Sequence, residues 1–240
     1  MKSLVIVPTY QERDNIDALI ARWIAAVDES IDLLIVDDGS PDGTAAVVKV
    51  LAQARPGIHL RERPSKQGLS SAYLTGFKWA IEHGYEAIVE MDGDLSHDPA
   101  SIPELLAPLE SADLVIGSRY VRGGRIENWG RFRRLLSRAG NLYARLWLGF
   151  GIHDSTSGFR AFRRTALPEK DLIGYRSDGY VFQIETTYRV YRNGGRIVEV
   201  PITFTERTAG KSKLSRRIVL EAIYHVPALA LRNRFRRRSA

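Results

Sequence analysis

The sequence predicts an α/β protein built on a mostly parallel sheet with helices on both faces. Three observations carry that prediction. Short continuous apolar runs recur at 4–7, 31–36, 87–91 and 113–117, as expected of strands buried on both sides. Segments between them carry apolar residues at helical spacing, such as Ile16, Leu19, Ile20 and Trp23. Acidic residues crowd the positions just after the apolar runs, and ligands of such sheets bind outside the strands' carboxyl ends.

In order, Leu4-Val5-Ile6-Val7 is closed by Pro8, which puts residues 9–12 at the end of a first strand. Asp14 and Asn15 open the first helix. The second strand runs straight into Asp37-Asp38-Gly39-Ser40, and Pro41-Asp42-Gly43-Thr44 is a turn opening a second helix. Residues 58–60 form a weak third strand and 68–80 a third helix. Residues 87–91 form the fourth strand, 102–109 a helix and 113–117 the fifth strand. Glu12, Asp37, Asp38, Asp92, Asp94 and Arg119 all follow strand ends and are expected to converge on one crevice.

The chemistry centres on Glu90-Met91-Asp92-Gly93-Asp94-Leu95-Ser96-His97-Asp98. Asp92 and Asp94 sit at i and i+2, so on extended backbone both side chains face one volume. Such a pair suits a hard divalent cation that completes its shell with waters and substrate phosphates. A calcium loop is excluded, because its sixth position lacks glycine and Pro103 stands where the bidentate Glu belongs. Neither Gly-x-Gly-x-x-Gly nor a P-loop follows the first strands, which argues against a dinucleotide-dependent redox enzyme or a P-loop NTPase.

At 240 residues the chain suits one large domain or two small ones. With no cysteine, disulfides, thiolate nucleophiles and cysteine zinc sites are excluded. No N-terminal targeting segment is expected, since the first strand begins at once. The net charge of +7 is concentrated in arginines at 119–164 and 232–238. Such an excess fits nucleic acid, anionic lipid or a phosphorylated substrate.

Beyond Arg119 a flexible basic segment leads to a helix over 132–150 that carries Leu135, Leu136, Leu142, Leu146, Trp147 and Leu148. The polar turn from Asp154 to Arg160 offers hydroxyls, glycine and a guanidinium, making Ser157 and Arg160 candidates for an acceptor phosphate. A helix opens at Gly179, and 197–204 alternates like one strand that Pro201 marks as edge or distorted. The cationic loop at 206–214 suits closure over phosphates. The tail at 215–240 is too short and too interrupted for a bilayer span. It fits either an amphipathic helix on an anionic membrane or a core-packed terminal helix.

Taken together, the motifs resemble the dolichol-phosphate mannose synthase group of the family 2 glycosyltransferases, which includes the bacterial polyprenol-phosphate mannose synthases. The pieces are Val7-Pro8-Thr9-Tyr10 with Glu12, Val36-Asp37-Asp38-Gly39-Ser40, Met91-Asp92-Gly93-Asp94-Leu95-Ser96-His97, Gly117-Ser118-Arg119-Tyr120, Ser157-Gly158-Phe159-Arg160, Tyr180-Val181-Phe182-Gln183 and Gly210-Lys211-Ser212-Lys213-Leu214. The resemblance implies a glycosyltransferase-A fold and inverting transfer of mannose from GDP-mannose to a polyprenyl phosphate. It implies a catalytic domain over 1–214, with a nucleotide-sugar half at 1–120 and an acceptor half at 121–214. Pro8, Tyr10, Glu12, Val36 and Asp38 would hold the guanosine part. Asp92, Gly93 and Asp94 would face the diphosphate and a Mg²⁺ or Mn²⁺ ion, with Ser96 as a further ligand. Arg119, Arg207 and Lys213 would meet phosphate or sugar oxygens, and Asp94 and Arg119 would be catalytic. The group commonly has Ala where this chain has Gly93.

These readings imply an enzyme on the cytoplasmic face of the cell membrane, docked peripherally by the tail helix and by the helix around 135–147. Two rivals stay open: transfer of glucose from a UDP donor to undecaprenyl phosphate, and a basic nucleic-acid binder. The second leaves the acidic set unexplained, because carboxylates repel a phosphate backbone.

Overall fold

The computed structural model describes residues 1–168, 172, 175, 179–206 and 216–236, the last stretch with side chains for 221–231. Its first half alternates strand and helix: β1 (Ser3–Thr9), α1 (Arg13–Ala26), β2 (Ile31–Asp37), α2 (Thr44–Ala54), β3 (Ile58–Glu62), α3 (Leu69–Glu82) and β4 (Ala87–Glu90). Then follow α4 (Ile102–Leu106), β5 (Leu114–Ser118), β6 (Arg125–Glu127), α5 (Arg131–Leu148), β7 (Arg160–Arg163), α6 (Gly179–Arg192), β8 (Ile197–Pro201), β9 (Thr203–Thr205) and α7 (Arg216–Arg236).

Seven strands form one sheet in the order β3-β2-β1-β4-β7-β5-β8, and β6 pairs with β9 in a two-stranded ribbon. All pairings in the large sheet are parallel except those of β7, which runs antiparallel between β4 and β5. The chain winds outward from β1 in both directions, so the crevice beyond β1 and β4 is the topological switch point. Because β7 is reversed, its first residue lies at that same edge, with Arg160 in register with Glu90 and Ile116.

Strand side chains alternate between two cores. Leu4, Ile6, Leu34 and Val36 pack with Tyr73 and Phe77 of α3, Phe182 of α6, Ala144 and Leu148 of α5 and Val226 of α7. Val5, Val7, Leu33 and Ile35 pack with Ile16, Leu19 and Trp23 of α1 and Ile102 and Leu105 of α4.

Two expectations change in the structure, and one open alternative is decided. The helix expected over 102–109 is α4 flanked by single 3-10 turns, because Pro103 and Pro108 lack the amide that a continuous ladder needs. The strand expected over 197–204 breaks after Pro201, and its two parts join different sheets. In α7, Val226 is buried, with Leu229 and Ala230 packed beside it, so this helix has a core-packed face. No helix among the described residues is long and apolar enough to cross a membrane.

Candidate active site

The sheet edge beyond β1, β2, β4 and β5 gathers most of the expected residues, and each is held by groups distant in sequence. At the end of β2, Asp37 accepts from Thr9 Oγ1 at 2.9 Å and from the Ser40 amide and hydroxyl at 2.8 and 2.6 Å. Its carboxylate therefore shapes the turn. Asp38 pairs with Arg63 Nη1 at 2.9 Å and accepts from the Gln67 amide at 3.1 Å. Tyr10 is covered by Lys66, whose Nζ lies 4.1 Å from the ring centroid. Glu12 caps the start of α1 and accepts from Asn15 Nδ2 at 2.7 Å.

After β4 the chain turns sharply. Leu95 has φ +64, a left-handed conformation that is uncommon for a branched side chain. The turn places the Ser96 amide and hydroxyl on Asp94 Oδ1 at 3.1 and 2.5 Å. The Asp92 amide donates to His97 Nδ1 at 3.2 Å, which leaves the ring proton on Nε2 of a neutral imidazole. His97 is fully buried, stacked on Phe159 at 4.9 Å and edge-on to Phe204 at 5.5 Å. Burial pushes its pKa down, and the nearby Asp92 and Asp94 carboxylates only partly oppose this. Tyr73 of α3 reaches Asp92 Oδ1 at 3.5 Å. Gly158 lies beside Asp92, where a Cβ would make ordinary contact with Oδ2 at 3.4 Å.

Arg119 follows β5 and is nearly buried. Its backbone amide, Nε and Nη2 all donate to the Asp154 carboxylate at 2.9, 2.7 and 2.6 Å, and Nη2 also donates to Thr156 Oγ1 at 2.9 Å. The guanidinium lies 5.4 to 5.5 Å from the ring centres of Trp129, Phe204 and Tyr120. Burial works against its charge, but the fully buried Asp154 outweighs that and raises its pKa. Glu199 of β8 completes the support, accepting from the amides of His153 and Asp154 at 2.8 and 2.9 Å.

Asp92 and Asp94 suit a hard divalent cation. Both are carboxylates, Asp92 is one-third exposed, and no group of three or more Asp, Glu, His or Cys side chains placed to hold a metal ion exists among the described residues. That donor set matches an ion that completes its shell with diphosphate oxygens and water rather than an all-protein cage. A Cβ at Gly93 would meet Val7 Cγ1 at 3.3 Å, so alanine there would require a shift of a few tenths of an ångström.

A glycosyl transferase family 2 model matches residues 4–169. The chain belongs to that family. Over 238 residues this family 2 glycosyltransferase is 48% identical to the polyprenol monophosphomannose synthase of Mycolicibacterium smegmatis, covering 98% of this chain and 89% of the relative. It is 47% identical to the undecaprenyl-phosphate mannosyltransferase of Micrococcus luteus, covering 98% and 96%. Its fold is similar to that of glucosyl-3-phosphoglycerate synthase from Mycobacterium tuberculosis, with TM-score 0.70, 20% identity, and 95% and 80% of the two chains covered. A mannosyltransferase from Pyrobaculum calidifontis, solved with GDP-Man and Mn²⁺, matches with TM-score 0.63, 20% identity, and 98% and 64% covered. The glycosyltransferase-A-type sheet expected from the motifs is the fold observed.

Several residue assignments change in this glycosyltransferase. Arg160 is fully buried and spends its guanidinium on the carbonyls of Ser155, Ser157 and Gln183 and on Thr187 Oγ1, with Glu90 at 3.6 Å. Ser157 is buried and donates to the Gly117 carbonyl at 2.6 Å. Neither is presented to an acceptor phosphate; both build the floor of the site. Burial pushes Glu90 up to about 8, with Arg160 opposing. The Val36 side chain lies in the core, so only its backbone faces the crevice. Ser96 donates its hydroxyl to Asp94 Oδ1 and so orients that carboxylate. Arg207 and Lys213 lie outside the described residues. Arg63, His97, Asp154 and Glu199 were given no role by the sequence; His97 alone stood within a recognised motif.

Proposed function

We propose that this family 2 glycosyltransferase transfers mannose from GDP-mannose to the phosphate of a polyprenyl monophosphate, with inversion at the anomeric carbon. The observation that carries the reading is near-full-length likeness to two curated relatives whose names both join mannose to a polyprenol phosphate. The GDP part of the donor is favoured by the structural neighbour solved with GDP-Man. In the reaction the lipid phosphate oxygen bonds to mannose C1 as the bond from C1 to the diphosphate breaks, releasing GDP. A phosphate monoester already carries about −1.5 to −2 charge near pH 7, so it needs positioning more than a base.

On this reading Asp38 with Arg63, Tyr10, Pro8 and Glu12 form the guanosine side. Asp92 and Asp94 would hold Mg²⁺ or Mn²⁺, which when bound offsets charge on the departing diphosphate. Among the described residues Arg119 Nη1 has no hydrogen-bond partner, and we assign it to phosphate oxygens. Arg207 and Lys213 remain candidates for further phosphate contacts. A lipid acceptor of this kind calls for peripheral residence on the cytoplasmic face of the membrane.

Thermal shift tests the donor side. GDP-mannose with Mn²⁺ is expected to raise the melting temperature of the wild type, and Asp94→Ala is expected to lose that shift while melting near the wild-type temperature without ligand. Stabilisation by UDP-glucose in place of GDP-mannose would overturn the donor assignment.

A further inference from the structure

Strand β8 is the last strand of the large sheet beyond β5, and its side chains divide between the two faces. Val198 and Val200 turn to the core shared with α1 and α4, while Ile197 packs on the opposite core. Glu199 shares the Ile197 side, stands in register with Ile116 of β5, and has a side chain only 8% exposed. There it meets residues 149–159, which join α5 to β7 without helix or strand, so that their amides need partners from elsewhere. Glu199 Oε2 accepts from the His153 amide at 2.8 Å and from its Nδ1 at 2.9 Å, and Oε1 accepts from the Asp154 amide at 2.9 Å. One carboxylate therefore bridges two successive amides, and the second belongs to the residue whose side chain holds Arg119. Asn141 of α5 meets the same stretch through a side chain instead, donating to Thr156 Oγ1 at 3.1 Å.

We propose that Glu199 is a positioning residue for the transfer reaction: it fixes the peptide that carries Asp154, and through Asp154 it sets where Arg119 Nη1 meets phosphate oxygens. The inference rests on the role assigned to Arg119 in the proposed function. Only a carboxylate suits the task, because it offers two accepting oxygens, whereas an amide side chain would turn an NH₂ group toward one of the two backbone donors. Burying that charge is offset by the two amides and the imidazole.

A cavity of about 500 Å³ opens beside the carboxylate, lined by Glu199, His153, Phe150, Ile152, Tyr191 and Ile197 among others. His153 is half-exposed at its wall, so a small anion can reach this position from solvent. That access separates two roles. A carboxylate that organises the two amides can be replaced by a free one; a side chain that merely ties β8 to the loop cannot.

The test is chemical rescue of Glu199→Ala, which removes the atoms of one acetate ion. Its kcat should fall about 100-fold, while GDP-mannose with Mn²⁺ should still raise its melting temperature, since Asp38, Asp92 and Asp94 are untouched. Sodium acetate should restore kcat about tenfold, with saturation, where sodium chloride of equal ionic strength does not. Glu199→Gln, close to the native side chain in size, should melt near the wild-type temperature and lose about tenfold in kcat. Ile197→Ala, in the same cavity wall, should lower the melting temperature with kcat retained and no response to acetate. Wild-type kcat in either Glu199 variant would overturn the proposal. A loss of kcat that acetate leaves unmoved would also overturn it, assigning Glu199 to tying β8 to the loop. The ratios are read with whichever donor and acceptor the wild type turns over, so failure of the proposed function shows in the wild type and failure of the Glu199 role only in the variants.

Discussion

Asp154 takes three hydrogen bonds from Arg119 while fully buried, and so decides where that guanidinium sits. Asp154→Asn keeps the shape but leaves a buried cation without its counter-charge, a defect that costs about 3–5 kcal/mol in comparable pairs. Urea denaturation should show a loss of that size, and mannosyl transfer should fall with it; an unchanged midpoint would contradict the clamp. The side chains that face the crevice were legible because each stands just after an apolar run. Those that hold them were not. Asp154 lies 35 residues from Arg119 and became a partner only when β7 brought its preceding loop to the sheet edge. Arg160 misled for a related reason. An arginine in a polar turn suggests a phosphate ligand, and nothing local reveals that three backbone carbonyls are waiting for it.

The parallel strands and their helices announce themselves through apolar runs long enough to be buried on both faces. The reversed strand β7 does not, since two of its four residues are arginines. Helix α5 shows a different limit: periodicity finds an amphipathic helix without saying which face the core takes, and here it takes Asn141, Ala144 and Leu148. The segment after β5 looks flexible in sequence, yet it folds back on its own start. A Cβ at Gly124 would lie 2.6 Å from the Ser118 carbonyl oxygen and 2.8 Å from the Arg119 carbonyl carbon, both backbone atoms with little room to yield. Gly124→Ala should therefore push Arg119 out of place, lowering stability by about 1–3 kcal/mol and kcat on the order of 100-fold. Gly76→Ala supplies the control, because its clash is with Ile6 in the core, so stability should fall with kcat retained. Equal kcat for the two variants would separate Gly124 from the site.

Across the whole molecule, the winding order brings the acidic turn after β4, the Asp37-Asp38 turn after β2 and Arg119, with its partner Asp154 from the later half, to one edge of one sheet. The ordered motifs made that convergence legible, because each strand end carries its own piece. The outward face of α5 was legible only as an amphipathic pattern, since burial depends on which elements pack against it. On the proposed function the two halves of the protein meet at this edge, a GDP-linked mannose on one side and a lipid phosphate on the other. The most direct measurement is transfer of labelled sugar in the presence of Mn²⁺, crossing GDP-mannose and UDP-glucose with polyprenyl phosphate and with no acceptor. Labelled polyprenyl-phosphate mannose should form from GDP-mannose alone; labelled lipid formed from UDP-glucose but not from GDP-mannose would overturn the assignment.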